Sequence, residues 1–103
     1  MNIEIFSDKA NQAAELLKMM GNEKRLMILC QLGNGEKSVG ELEKLIGLKQ
    51  SALSQHLAKL RAERLVSTRR ESQTVYYSLA SEEVTKLIEI LYGLYCPGLE
   101  KQG

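Results

Sequence analysis

The sequence contains little of what catalytic and metal-binding sites are usually built from. Its 103 residues include one histidine, two cysteines and one proline. The cysteines, Cys30 and Cys96, form no Cys-x-x-Cys pair, so a zinc ion held by both would need outside ligands to complete a tetrahedral site. No general base, second histidine or cofactor motif lies near either cysteine in the sequence. This argues against a thiol-based enzyme, and we expect neither a metal nor a cofactor.

Long apolar runs are also absent. No stretch is long enough to cross a bilayer, and the N-terminal residues 1–8 lack the basic start of a signal peptide. We therefore expect a cytoplasmic protein with no membrane partner. A length of 103 residues predicts a single domain, residues 1–103, with no room for a separate catalytic domain.

The charge is small overall but unevenly distributed. The formal net charge is +1, yet residues 49–77 carry six basic and two acidic side chains, whereas residues 1–48 carry six basic and seven acidic ones. Phosphate contacts need a local excess of positive charge rather than a high overall isoelectric point. The region 49–77 is therefore a candidate nucleic-acid surface, and the alternative is a strip of solvated side chains.

Apolar spacing and capping residues predict a mainly α-helical chain with a β-hairpin, in the order α-α-α-α-β-β-α. The predicted helices cover residues 8–20, with Asp8 as cap, 23–32, the segment from Ser38 to Gly47, about 50–63, and a last helix from Ser81 to about Tyr95; the predicted strands are 66–70 and 74–79. The Pro97-Gly98 pair is expected to prevent the last helix from continuing.

The third and fourth helices have the pattern of a helix-turn-helix. Ser38 and Glu41 have the capping-box spacing, and Gly47 suits a left-handed helix end. The apolar residues expected to face inward on the third helix are Val39, Leu42, Leu45 and Ile46. The hairpin has a polar turn at Glu71-Ser72-Gln73 that lacks Asn-Gly or Asp-Gly, so the sequence does not decide its turn type. Together with this hairpin, the two helices predict a winged helix-turn-helix.

The fourth helix presents side chains suited to reading DNA. Glutamine can donate to and accept from adenine, serine can bond bases or phosphates, and a helix N-terminus attracts phosphate. The candidate DNA-binding residues are Lys49, Gln50, Ser51, Ser54, Gln55 and His56 on this helix, and Arg69, Arg70 and Gln73 on the wing. Alternatively, His56 makes an internal hydrogen bond that holds the helix against the domain. The alternative for the wing residues is that they only make the hairpin soluble.

The first and last helices are too apolar for a small domain that works alone. We expect them to form a homodimer interface, because two-fold DNA readers place their modules about 34 Å apart. Two alternatives are that they cover the monomer's own core, or that they make the protein an interaction module for other proteins.

The two cysteines have several interpretations. Cys30 follows Met27-Ile28-Leu29, which is typical of a small buried residue, and Cys96 closes the last helix. If the last helix packs on the second, the sulfurs meet, and oxidation of the dithiol would shift the last helix and the dimer.

Segments along nearly the whole chain, from about residue 10 to 96, resemble the ArsR family of winged-helix repressors. They are Met19–Cys30, Ser38–Leu42, Gln50–Leu57, Thr68–Tyr77 and Leu94–Cys96. Metal sensors of that family often carry Cys-Val-Cys in the third helix or Asp and His in the last one; here the third helix reads Val-Gly-Glu-Leu and the last has neither residue.

The cysteine pair instead resembles the branch of the family that senses reactive sulfur species. The resemblance implies a homodimeric repressor that reads an inverted repeat in double-stranded DNA. It also implies that Cys30 and Cys96 are the redox-sensing pair, linked within one subunit by extra sulfur atoms when persulfides act on them, and that the oxidised form leaves DNA. The alternative is an activator or antirepressor under general thiol-redox control.

Overall fold

Six helices and three strands make up residues 1–96, the part of the chain that this computed structural model describes. The helices are α1 (Ile3–Ser7), α2 (Ala10–Met20), α3 (Glu23–Leu32), α4 (Val39–Ile46), α5 (Gln50–Ala62) and α6 (Glu82–Tyr95), and the strands are β1 (Lys37–Ser38), β2 (Val66–Glu71) and β3 (Thr74–Leu79). The predicted winged helix-turn-helix is confirmed, with one additional short helix and one additional short strand. The expected break at Pro97-Gly98 lies outside the described residues.

The start of the chain differs from the prediction. Asn2 accepts hydrogen bonds from the amides of Glu4 and Ile5 at 3.0 and 3.3 Å and begins the unpredicted helix α1. Asp8 ends that helix with helical backbone angles (φ −69°, ψ −21°), whereas an N-cap needs an extended backbone. Asp8 as the cap of the next helix was therefore wrong, and α2 begins at Ala10 without a side-chain cap.

Helix α4 is capped at both ends as its sequence predicts. The Ser38 hydroxyl accepts from the Glu41 amide at 3.1 Å, and the Glu41 carboxylate accepts from the Ser38 amide at 2.8 Å. Gly47 ends the helix in the left-handed conformation, with φ 79°. The prediction that Leu45 faces inward was wrong. Its side chain is 49% exposed because it lies at the edge of the buried stripe formed by Leu42 and Ile46.

Helix α5 is fixed along its length by the core and by its C-terminal turn. Leu53, Leu57 and Leu60 are buried on its inner face. At its end the Leu65 amide donates to the Leu60 carbonyl and the Arg64 amide to the Arg61 carbonyl, both at 2.9 Å. This is the Schellman pattern, with Arg64 (φ 62°) in the left-handed position that glycine usually occupies. The orientation of the outer face of α5 is thereby set.

The wing is part of a three-stranded antiparallel sheet in the order β1-β3-β2. Arg69 pairs with Tyr76 across β2 and β3, and Glu71 pairs with Thr74, so the loop is Ser72-Gln73. Ser72 has a positive φ of 56°, as the first loop residue of a type II′ turn does. The two-residue strand β1 pairs with Tyr76 and Tyr77 in the middle of β3.

The core lies between α3, α4, α5 and α6. Its fully buried large side chains are Ile28, Leu29, Leu42, Leu53, Leu57, Leu60 and Val84. Helix α6 contributes Val84 and Ile88 to this core, while Ile90, Leu94 and Tyr95 remain exposed. None of the helices in residues 1–96 combines the length and the apolar character needed to cross a membrane.

Candidate functional site

The outer face of α5 carries the candidate DNA-reading residues on consecutive turns. The exposed ones are Lys49, Gln50, Ser51, Ser54 and Gln55. Since Leu53 and Leu57 anchor the opposite side of the helix in the core, this polar face points to solvent. The structure thus brings these residues together on one accessible surface.

The first turn of α5 differs from those of α3, α4 and α6 in lacking a side-chain cap. Asn22, Ser38 and Ser81 each accept hydrogen bonds from backbone amides of the helix they precede. Lys49, in the same position before α5, does not. The first amides of α5 therefore remain available to an external acceptor, next to the basic side chain of Lys49.

His56 is half-buried on α5 and has no side-chain hydrogen-bond partner among residues 1–96. Burial lowers the pKa of its imidazole, and the positive charges of Arg25 and Lys59 lower it further. Both effects favour the neutral form of the imidazole in the free protein. The alternative role, an internal hydrogen bond, is not supported, because His56 has no partner for one in the described residues. A contact with phosphate would be made by the neutral imidazole.

The two faces of the wing differ in character. Side chains alternate along a strand, so Arg70 shares a face with buried Val66, and Arg69 shares the other face with Glu71. The Arg70 face is the one turned toward α5, since Tyr77 on β3 lines a concavity of about 470 Å³ together with Ser54, Ala58, Arg61 and Ala62. Gln73 is exposed in the loop at the tip.

Arg69 is engaged by other side chains on its own face. Its Nε and Nη2 donate to the Glu36 carboxylate at 3.0 and 2.7 Å, and Nη1 donates to Glu71 at 2.6 Å. Its guanidinium lies over the Tyr76 ring, 4.6 Å from the centroid. These bonds hold the pKa of the Glu36 carboxyl below its usual range. We call Glu36, Arg69, Glu71 and Tyr76 the Arg69 network.

The cysteines lie on two helices that pack together. Cys30 is on α3 and Cys96 directly follows α6, and both are free thiols. Cys30 is exposed as a residue, so its interpretation as a small buried side chain was wrong. Neighbouring atoms nevertheless shield its thiol and raise its pKa, and the nearby charge of Cys96 raises the pKa further. Of these two causes, burial is the larger. Within residues 1–96, no group of three His, Cys, Asp or Glu side chains is arranged to hold a metal ion.

Comparison with known proteins decides the family. The family described as "Bacterial regulatory protein, arsR family" matches residues 22–68. The transcriptional activator HlyU of Vibrio cholerae is 54% identical over 96 residues, which cover 93% of this chain and 89% of HlyU. The chain belongs to the ArsR family.

Solved structures of ArsR-family regulators share this fold. Reduced HlyU from V. cholerae superposes with a TM-score of 0.86 at 54% identity, covering 90% of this chain and 98% of that one. The transcriptional repressor BigR from Xylella fastidiosa gives a TM-score of 0.88 at 42% identity, covering 93% and 98%. This ArsR-family chain is therefore a DNA-binding transcriptional regulator, and its matched relatives are regulators rather than enzymes.

Sequence reasoning missed several residues of this ArsR-family surface. Glu36 stands in the loop after α3, with nothing nearby in sequence to connect it to the wing, and Tyr76 was noted only as a strand residue. Arg61 and Tyr77 line the concavity between α5 and the wing. The period-two pattern of the hairpin does place Arg69 and Arg70 on opposite faces. Both were nevertheless predicted as DNA contacts, because the pattern does not show which of the two faces carries the carboxylates that bind Arg69.

The titration of Cys30 tests the proximity of the two thiols. The rate of alkylation by iodoacetamide follows the thiolate fraction, so its pH midpoint reports the pKa. In the reduced protein we expect the Cys30 midpoint to lie above that of a cysteine in an unstructured peptide. In Cys96→Ser it should fall, because a neighbouring negative charge is removed, but remain above the peptide value, since burial is the larger cause. Mass spectrometry of the Cys30 peptide measures both, and identical midpoints in the two proteins would show that the sulfurs do not interact.

Proposed function

We propose that the protein acts as a homodimer that reads an inverted-repeat operator with α5 in the major groove. The observation that carries this proposal is the exposed polar face of α5, with its uncapped first turn, in an ArsR-family fold. Ser54 and Gln55 would contact base edges, while Lys49, Gln50 and Ser51 and the first amides of α5 would hold phosphates. His56 would contribute its neutral ring to the same surface. We place the protein in the cytoplasm, where this DNA is found.

On the wing, Arg70 and Gln73 are the proposed contacts to the flanking DNA backbone. Arg70 lies on the face turned toward α5, and Gln73 is at the exposed tip. Arg69, the third wing residue predicted from the sequence, faces the other way and is bound by two carboxylates. A direct contact between Arg69 and DNA is therefore the least supported of the nine candidates.

The dimer interface in this proposal combines α6 with α2, which is the first helix predicted from the sequence, and with the short helix α1 that precedes it. On α2, Leu17 is exposed. On α1, Ile3, Ile5 and Phe6 are exposed, and on α6 Leu94 and Tyr95 are 68% and 81% exposed. Such apolar side chains lie on the surface of a single chain but would be buried between two copies. A dimer also supplies the second reading helix that an inverted repeat requires.

The Cys30–Cys96 pair is the proposed switch. Each thiol takes the outer sulfur of a glutathione persulfide and releases glutathione. One cysteine persulfide then attacks the inner sulfur of the other and expels hydrogen sulfide, which leaves the two cysteines joined through one additional sulfur. This link ties α3, which packs on α5, to the end of α6, which carries the proposed dimer surface. Oxidation would therefore change the spacing of the two reading helices and release the DNA.

The proposed effect on transcription is repression, relieved by persulfide. The BigR structure is that of a repressor, and its chain aligns with 93% of this one. HlyU bears the name of an activator and is 54% identical, which supports activation or antirepression as the second candidate. Deleting the gene and following a reporter of the regulated promoter separates the two: expression rises if the protein represses and falls if it activates.

The direct test of the proposed function is fluorescence anisotropy of the reduced protein with DNA from upstream of its own gene. We expect specific binding at least about a thousandfold tighter than binding to a scrambled duplex at the same salt concentration. Equal affinity for both duplexes would contradict sequence-specific regulation. No binding to either would support the interaction module that the apolar end helices also allow.

A further inference from the structure

We infer that Arg69 positions the wing through its bonds to Glu36 and does not bind DNA. The inference rests on the proposed DNA-binding function for its affinity test and on the geometry of the Arg69 network for its argument. It assigns a role to Glu36, which lies outside both the helix-turn-helix and the hairpin. It also divides two adjacent arginines into one that orients the wing and one that contacts phosphate.

The Arg69 side chain spans the full width of the sheet. It starts on β2, passes over the ring of its cross-strand partner Tyr76 on β3, and reaches Glu36, the residue immediately before β1. Neighbouring strands are about 4.8 Å apart, so the side chain connects the two outer strands across the middle one. Two-stranded hairpins are marginally stable in isolation, and β1 is only two residues long. The bond to Glu36 therefore limits how far the hairpin can bend relative to α4 and α5.

The electrostatics of this face disfavour a phosphate. Glu36 binds the guanidinium through two bonds, and Glu71 accepts a third at 2.6 Å, so two carboxylates surround one positive charge. The net charge of these three side chains is −1, and a DNA phosphate would have to displace a carboxylate held in paired geometry. Arg70, on the other face, makes no salt bridge with the described residues and remains free for a phosphate.

The network contributes to geometry more than to stability. The Arg69 and Glu36 side chains are 49% and 35% exposed, and ion pairs this exposed add little to the free energy of folding. Breaking the pair should leave the thermal unfolding midpoint nearly unchanged. A change in DNA affinity would then reflect the position of the wing.

The test compares Arg69→Lys, Glu36→Gln and Arg70→Lys with the wild type in anisotropy titrations of the reduced protein. Lysine replaces arginine well as a point charge on phosphate but cannot reproduce the paired bonds to Glu36. We expect Arg69→Lys and Glu36→Gln each to weaken operator binding about fivefold, in the range seen for residues that touch no ligand. Combining them should cost no more than either alone. Arg70→Lys should retain most of the affinity.

Salt dependence supplies the second readout. Each lost phosphate contact lowers the slope of log affinity against log salt by about 0.9, hence by about 1.8 for both protomers of a dimer. We expect this reduction for Arg70→Ala and an unchanged slope for Arg69→Ala and Glu36→Gln. A reduced slope for Arg69→Ala, or unaltered or tighter binding by Glu36→Gln, would overturn the assignment.

Hydrogen exchange keeps the test independent of DNA. In Glu36→Gln, amides of residues 66–79 should exchange faster than in the wild type, because the hairpin has lost its connection to the loop before β1, while those of α5 stay protected. Unchanged exchange in the hairpin would overturn the positioning role even if the wild type failed to bind its upstream DNA. That failure alone would instead count against the proposed function.

Discussion

Replacing Gln55 with alanine is expected to weaken binding of the reduced protein to its operator about a hundredfold. A good base contact contributes about 1–3 kcal/mol of discrimination, and the substitution removes one from each half-site. Gln55 is exposed on the outer face of α5, two positions from the buried Leu53, so truncation should leave the helix folded. Affinity for a scrambled duplex should stay the same, since glutamine carries no charge. Anisotropy titrations on the two duplexes measure both quantities.

The matched control for Gln55→Ala is Lys49→Ala, six residues earlier, in the position before the first turn of α5. A phosphate contact carries no sequence information, so Lys49→Ala should weaken binding to operator and scrambled DNA equally and lower the salt slope. If Gln55→Ala instead weakened both duplexes to the same extent, Gln55 would be a backbone contact and the bases would be read elsewhere.

Introducing a charge into the apolar surface of α6 is expected to reduce operator affinity more than any other substitution proposed for this protein. Leu94→Glu should convert the dimer to a monomer, because a carboxylate would be buried between two copies without a partner. Loss of the second reading head removes the gain from joining two binding modules, which is between about a hundredfold and ten-thousandfold in affinity. Light scattering reports the mass, and anisotropy on the full inverted repeat reports the affinity.

Leu45→Glu is the matched control for the mass measurement. Leu45 is an exposed leucine like Leu94, at 49% against 68%, but it lies on α4 and not on α1, α2 or α6. It should remain dimeric. Because Leu94 is solvent-exposed in the single chain, circular dichroism of Leu94→Glu should show an intact fold, which separates loss of the dimer from unfolding. A dimeric Leu94→Glu protein would contradict the proposed interface.

The parts of the fold predicted from sequence are those specified by local chemistry. Ser38 and Glu41 satisfy each other's backbone within one turn, Gly47 supplies a left-handed residue, and the leucines of α5 recur on one face. These signals lie within a few residues of the structure they determine. They were sufficient to place the helix-turn-helix and the hairpin.

The missed parts depend on choices between close competitors or on distant contacts. Asn2 and Asp8 are both capping residues, and only the backbone conformation shows that Asp8 ends one helix instead of beginning the next. The contact of Arg69 with Glu36 joins strand β2 to the loop before β1, 33 residues away in the sequence, so no periodicity reveals it. Likewise, Cys30 is exposed although Ile28 and Leu29 just before it are fully buried, so the apolar run does not indicate the exposure of the residue that follows it.

Modification of Cys30 and Cys96 is proposed to release the protein from DNA, and one titration tests this release most directly. The reduced protein is bound to labelled operator and treated with glutathione persulfide, hydrogen peroxide, diamide or zinc, then recovered for intact mass. We predict release by persulfide alone, with a gain of sulfur mass and a loss of two hydrogens, and no release or bridge in Cys96→Ser. Persulfide-treated protein that stays on the operator while carrying the bridge would contradict the claim, and release by zinc or by every oxidant would replace the persulfide switch with a metal or general redox sensor.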